Sequence, residues 1–420
     1  MKVLILGNGG REHSLYYHIK KTKNIKQIFC IPGNAGTEEN YYNTNIQLDN
    51  FFEIKKFIIK NKIDIVIVGP ELPLSKGIVD YLKKNNVKVF GPNKLAAKLE
   101  SSKSFTKKIC RKYNIPTAKY GIFYNEIKSI EYIKKNKLPI VIKVDGLAAG
   151  KGVFICKTIK QSKKAIKDIF SGKFGETKKV LIEEFLEGEE MSFFVISDGV
   201  NFRKFGSAQD HKRVQEGDKG KNTGGMGAYS PSRLENKNLD RKILYKIIKP
   251  TFRALKKLKI TYEGFLYAGL MIVKNEPYLI EYNVRMGDPE CQTILPRLKS
   301  NLLDLIIKVV NKKLNKTQIK WHNKKSICIV LASKGYPNKF KQNIEIKNLD
   351  KIKLDDQTLL FHAGSKKINN KILSNGGRVL NFVALSSSFK IARDKILKLI
   401  KKLQWKNGYY RKDIGYKVIK

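Results

Sequence analysis

Glu281 and Asn283 stand two apart in GFLYAGLMIVKNEPYLIEYNVRMGDPE, alternating with Tyr282 and Val284, and Arg285 continues the series. On a strand such positions share one face. Two hard oxygen donors would then project together beside a cation, a set suited to magnesium, which takes few protein ligands and leaves the rest of its shell to phosphates and water. Upstream, LPIVIKVDGLAAGKGVFICKT holds two apolar runs joined by a loop with Gly146, Gly150, Lys151 and Gly152. It reads as a hairpin covering phosphates rather than a Walker loop, because Lys151 is followed by Gly152 and a strand, not by Ser or Thr opening a helix. Lys143, ending the first run, points an ammonium toward phosphate oxygens. In VLIEEFLEGEEMSFFVI, two acidic pairs bracket a short apolar turn, which can offer backbone groups to a purine edge and a carboxylate to a ribose.

The stretch NTGGMGAYSP at 222–231 follows QDHKR at 209–213 and carries no period of two or 3.6, so it reads as neither strand nor amphipathic helix. Glycine clusters are ordinarily surface turns; beside so many charges, this one could also let small charged groups approach backbone donors. At the N-terminus, KVLILGNGGREHSLYYHIKK reads as a buried strand, a glycine turn and a helix. A dinucleotide fingerprint beginning at Gly7 would need glycine at position 12, where Glu12 stands. The surviving turn from Gly7 to Arg11 still offers N–H groups and a helix start to a mononucleotide-sized phosphate.

The elements that must position these residues follow from strand-then-turn repeats in KQIFCIPGNAGT, DIVIVGPELPL and VKVFGPN, alternating with helical stretches such as FFEIKKFIIKN and KGIVDYLKKN. They predict a doubly wound parallel sheet with its glycine turns gathered at the carboxyl edge. A length of 420 residues with 42% apolar content implies two to four globular domains. No apolar run is long enough to cross a bilayer and no cleavage-type segment follows Met1, so the chain reads as soluble and cytoplasmic. The five scattered cysteines form no zinc spacing and read as reduced structural thiols. A net charge of +47, from 84 Lys plus Arg against 37 Asp plus Glu, would attract polyanions. The lysines are spread along the whole chain without a nucleic-acid module, which favours compositional drift over nucleic-acid binding.

NGGREH, PGNAGT, VIKVDGLAAGKG, EEFLEGEE, QDHKR, NTGGMGAYSP, GFLYAGLM and the EYNVRMGDPE segment, followed by FHAGS, NGGRVL and RKDIGY, stand in the order found in the phosphoribosylamine glycine ligase family, which the chain resembles over its whole length. A carboxylase of the same pathway would share the phosphate and metal motifs but lack QDHKR with NTGGMGAYSP. The resemblance implies an α/β protein with an N-terminal doubly wound sheet (1–118), an ATP-grasp core made of a mobile lid (119–187) and a metal and nucleotide domain (188–325), and a smaller α+β C-terminal domain (326–420). KKLNKTQIKWHNKK is expected to be the last linker. It implies ligation of glycine to 5-phosphoribosylamine at the expense of ATP through glycyl phosphate, by a monomer using Mg2+ or Mn2+, with no nucleic-acid or membrane partner.

By that resemblance Lys103, Lys143 and the Gly146, Gly150, Lys151 and Gly152 loop meet ATP phosphates, while Glu183, Glu184, Phe185 and Leu186 meet adenine. Glu190 matches the ribose position, and Glu281 and Asn283 hold metal. Asp210, His211, Lys212, Thr223, Gly224, Gly225 and Arg285 lie at the reaction centre. Asn8, Gly9, Gly10, Arg11, Gly33, Asn34, Gly36, Thr37, Glu71 and Asp288 serve the substrates.

Overall fold

The computed structural model describes residues 1–37, 46–147, 152–175, 177 and 179–419. Gly150 and Lys151 therefore lie outside the described residues. The strand Lys2–Gly7 is buried almost throughout, the mark of a strand covered on both faces. It lies between Gln27–Pro32 and Ile65–Val68, with Val89–Phe90 beyond, all parallel. Helices Gly10–Lys20, Phe51–Asn61 and Ile78–Lys84 connect them. The turns after the strands do converge: Gly33 and Gly69 donate their N–H groups to the carbonyls of Gly7 and Leu6, at 3.2 and 3.0 Å.

Residues 120–184 form a second layer, an antiparallel sheet in the order Tyr120–Phe123, Val180–Glu184, Ile140–Val144, Val153–Cys156. The last two are the expected hairpin. Helices Glu126–Lys134 and Ile159–Phe170 close over this sheet, and Ile133, Ile142, Ile166, Ile169 and Ile182 form a core of its own.

The largest sheet is antiparallel and runs Glu276–Asn283, Glu263–Val273, Glu189–Asp198, Phe202–Asp210, Gly227–Ser230, Lys325–Ser333, Arg378–Ser386, Thr358–His362, with Gly408–Tyr409 also paired to Lys325–Ser333. The short strand Gly227–Ser230 corrects the reading of NTGGMGAYSP as wholly irregular. All four of its residues are buried, so no polar alternation announces it. It joins the central strands to the C-terminal ones in one sheet. The basic segment read as a linker is packed: the Leu314 N–H donates to Asp198 Oδ2 at 2.9 Å, and the Trp321 ring meets Phe205 edge-on at 5.4 Å. All five cysteines are free and buried. Among the described residues no helix is long and apolar enough to cross a membrane.

Candidate active site

The strand Glu276–Asn283 lies at the edge of the large sheet, and the period of two continues past its end. Tyr282, Val284 and Met286 are buried, whereas Glu281, Asn283 and Arg285 are half-exposed on the other side. The Tyr282 hydroxyl pins the buried face by a 2.5 Å hydrogen bond with Thr251 Oγ1. Arg285 spends its fork on Glu71 Oε2 (2.9 Å), Glu100 Oε1 (2.7 Å) and Asn283 Oδ1 (3.3 Å). The guanidinium holds the Glu71 carboxyl down to about 2. Glu100 goes the other way: burial pushes it up to about 7, against the pull of Arg285. Among the described residues no group of three or more His, Cys, Asp or Glu could hold a metal alone. The two-oxygen set of Glu281 and Asn283 fits an ion whose remaining ligands come from phosphates and water.

Among the residues expected to meet ATP, Lys143 pairs with Glu183 at 3.0 Å, and Lys107 reaches the same carboxylate at 3.3 Å. All three side chains are buried. Burial lowers the Lys107 pKa against the pull of Glu183, and its ammonium also donates to Thr117 Oγ1 at 2.5 Å. Lys103 donates to the Gly146 carbonyl at 2.8 Å; burial lowers its pKa while the Glu281 carboxylate opposes that. Of Glu183, Glu184, Phe185 and Leu186, expected to meet adenine together, only the last two lie in the turn. Glu183 and Glu184 belong to the strand Val180–Glu184, and Glu184 Oε1 accepts the Lys119 N–H at 2.8 Å. Strand pairing stops at Glu184 and resumes at Glu189, so Phe185 and Leu186 form the connection itself. Phe185 is 39% exposed.

The Lys212 ammonium bridges Asp210 Oδ1 (2.8 Å) and Glu190 Oε2 (2.5 Å). Burial alone would lower its pKa, but the two carboxylates hold it well above the ordinary value. Behind them sits Glu290, buried and accepting from Ser192 Oγ at 3.3 Å, with its carboxyl raised by burial and by Asp210. The glycine loop hangs from Lys212: its carbonyl accepts both the N–H and Oγ1 of Thr223 at 2.8 Å, and Thr223 Oγ1 accepts the Gly225 N–H at 3.0 Å. Gly225 has φ +114°, and a Cβ there would lie 2.6 Å from Pro289 Cδ. Glycine is therefore demanded by backbone and packing. Gly224 is gripped at both ends, its carbonyl by Arg378 Nη1 (2.7 Å) and its N–H by the Tyr336 hydroxyl (2.9 Å).

At the carboxyl edge of the N-terminal sheet, Asn34 Nδ2 donates to the carbonyls of Asn8 (2.9 Å) and His362 (2.9 Å), while its Oδ1 accepts the Gly36 N–H. Thr37 Oγ1 accepts the Asn34 N–H at 2.8 Å. Asn8, Gly9, Gly10, Arg11, Gly33, Asn34, Gly36 and Thr37 are thus brought together. The turn's donors are not idle. Gly9 N–H donates to Glu12 Oε2 (2.7 Å) and Arg11 N–H to Asp288 Oδ2 (3.2 Å). Glu12, which breaks the dinucleotide fingerprint, turns its carboxylate back against Gly7, Gly9 and Gly69. Asp288 also pairs with Arg378 at 3.2 Å, tying this edge to the glycine loop. Glu71 stands apart from these contacts, on Arg285.

Glu100, Lys107, Glu290, Arg378 and Arg411 were not singled out from the sequence. Glu290 and Arg378 lie inside motifs already quoted, GDPE and NGGRVL, which was a usable signal. Lys107, in KSFTKKICRK, is one of several lysines on its helix and only burial distinguishes it.

Three family models match this chain: the phosphoribosylglycinamide synthetase N domain over residues 1–100, its ATP-grasp (A) domain over 101–291, and its C domain over 326–417. A phosphoribosylamine–glycine ligase of Haemophilus influenzae is 44% identical across all of this chain and 99% of its own length. One of Brucella melitensis is 41% identical across all of this chain and 98% of its own. Among solved structures, the phosphoribosylamine–glycine ligase of Thermotoga maritima superposes with a TM-score of 0.86 at 32% identity, covering 99% of this chain and 100% of that one.

Proposed function

Because the chain belongs to the phosphoribosylglycinamide synthetase family, and so is an ATP-grasp ligase with phosphoribosylamine–glycine ligase activity in purine biosynthesis, we propose the following division of labour within its site. The observation that carries it is the Lys212 bridge. It joins Glu190, the ribose position, to Asp210 beside the Thr223–Gly225 loop, so nucleotide and acceptor carboxylate come to lie next to each other.

ATP lies between residues 119–187, acting as a lid, and the strand bearing Glu281. Phe185 and Leu186 present backbone to adenine, Glu190 holds the ribose, and Lys103, Lys143 and Gly152 face the phosphates. ATP-grasp ligases use ATP with Mg2+; Glu281 and Asn283 would hold that ion, which neutralises phosphate charge and aligns the phosphates when bound. Glycine's carboxylate lies against Lys212 and the Thr223–Gly225 loop, where the glycine residues leave room for it. One of its oxygens attacks the γ-phosphorus, the bond to the β-phosphate oxygen breaks, and ADP leaves. The amine of phosphoribosylamine then attacks the glycyl carbonyl carbon; phosphate departs with the bridging oxygen and the amine gives up a proton. No protein nucleophile is required. Arg285 and Lys212 act by holding reactants in line and countering oxygen charge.

Phosphoribosylamine lies along the carboxyl edge of the N-terminal sheet, with Asn34 and Asp288 as its frame and its amine directed toward Gly224. Its phosphate competes with Glu12 and Asp288 for the Gly9 and Arg11 N–H groups.

The test is amide formation from glycine, ATP and freshly generated phosphoribosylamine. Glycinamide ribonucleotide and ADP in equal amounts are expected. ADP release that does not depend on glycine would overturn the proposed order.

A further inference from the structure

Arg411, with nine residues after it in the sequence, has no exposed surface. Nε and Nη2 form a fork onto the two oxygens of Asp413 at 2.8 Å each, while Nη1 donates to Asp218 Oδ1 (2.7 Å) and to the Arg213 carbonyl (2.9 Å). A planar guanidinium can serve two carboxylates and a carbonyl at once; an ammonium cannot hold that fork. The following residues continue the grip. The Gly415 N–H donates to His211 Nε2 at 3.0 Å, the Tyr416 hydroxyl to Asp218 Oδ2 at 2.8 Å, and the Lys412 N–H to Glu216 Oε1 at 2.9 Å. The segment is itself anchored. Ile414 is buried in the C-terminal core, and Gly408–Tyr409 pairs with the strand Lys325–Ser333.

What the segment grips is the frame of the reaction loop. His211 lies between Asp210 and Lys212. Its N–H donates to the Gly227 carbonyl and its carbonyl accepts the Met226 N–H, both at 2.8 Å. With Nε2 accepting from Gly415, the ring proton sits on Nδ1 and faces Asp218, 3.5 Å away. The ring is fixed from outside by the chain's last residues, and the backbone on either side of it carries Asp210, Lys212 and, through Lys212's carbonyl, Thr223.

We propose that residues 411–416 are a positioning strap for the acyl-phosphate half of the site, with Arg411 its central residue and His211 the member it orients. Among the described residues, the strap makes no hydrogen bond with the groups assigned to ATP phosphates or adenine. This rests on the reading above that Asp210, Lys212 and the 223–225 loop receive glycine. Glu190, although it meets Lys212, is held by its own strand opposite Met271 and by Gln209 Nε2 on its carbonyl, so loosening the strap should cost glycine-dependent turnover while leaving nucleotide binding intact.

The experiment is steady-state ligation on full-length parent, Arg411→Met, Arg411→Lys and Tyr416→Phe, with Mg-ADP titrations on each folded protein. Arg411→Met should lower kcat/KM for glycine by about 10- to 100-fold, the scale of misplaced catalytic groups, with the Mg-ADP Kd within about three-fold of the parent. Arg411→Lys should recover part of that loss, and Tyr416→Phe, losing one hydroxyl, should fall several-fold. Tyr416→Phe keeps the test open should Arg411→Met not fold. Folded variants with unchanged glycine kinetics, or with Mg-ADP affinity falling as far as kcat/KM, would overturn the proposal. A parent that forms no glycine amide would instead overturn the functional reading beneath it.

Discussion

Arg285→Met removes one cation from between two carboxylates while keeping most of the side chain's length. Glu100, already raised to about 7 by burial, would become neutral at physiological pH and escape most of the penalty. Glu71 would not. Its ordinary value is 4.5 and Arg285 is the largest cause of its fall to about 2. That interval of about 2.5 pH units corresponds, at about 1.4 kcal/mol per unit, to about 3.5 kcal/mol. The Glu71 side chain is 31% exposed, so solvent screening reduces this to about 2 kcal/mol. The sign follows from linkage. A depressed carboxyl stabilises the fold above 4.5 and loses that contribution as pH falls toward 2. Urea titrations of ligand-free parent and variant should therefore differ by about 2 kcal/mol at pH 7 and by clearly less near pH 3.5. Equal stabilities at pH 7, or a deficit that does not shrink with acid, would refute the assignment of Arg285 as the charge that holds Glu71.

Glu281→Gln removes the charge that suits a hard cation and should cut ligation turnover by at least a hundred-fold, on the order of one lost transition-state contact; near-parental rates at saturating magnesium would remove Glu281 from the metal set. Gly225→Ala would force φ +114° and a 2.6 Å approach to Pro289, so it should lower thermal stability as well as activity, and a variant that melts with the parent would show the loop has room. Arg378→Lys should raise the glycine KM, since a single ammonium cannot hold both the Gly224 carbonyl and Asp288; unchanged KM would mean the loop is braced elsewhere. Glu100, held near 7 against an ordinary 4.5, binds its proton in the folded state over that window, so it makes unfolding free energy decline as pH rises from about 5 to 8. Glu100→Gln should flatten that decline in urea titrations at the two pH values, and an unaltered slope would contradict the assignment.

The sequence by itself determined what lies within single elements. A period of two set Glu281, Asn283 and Arg285 on one face over buried Tyr282, Val284 and Met286, and the strand continues that alternation because backbone pleating is local. The glycine turns after short apolar runs marked the carboxyl edge of a parallel sheet, and the order of motifs carried the family. Gly227–Ser230 escaped because a strand buried on both faces has no alternation to read. Tertiary structure alone decided which charges meet. Arg285 reaches Glu71 across 214 positions, Arg378 reaches Gly224 across 154, and the strap reaches His211 across more than 200. Spacing fixes the direction of a side chain within its element, but a partner that far away is chosen by how the layers stack. The same holds for Lys107. In a chain with 84 basic residues, the end of an apolar strand marked Lys143, whereas only burial against Glu183 separates Lys107 from the many that face water.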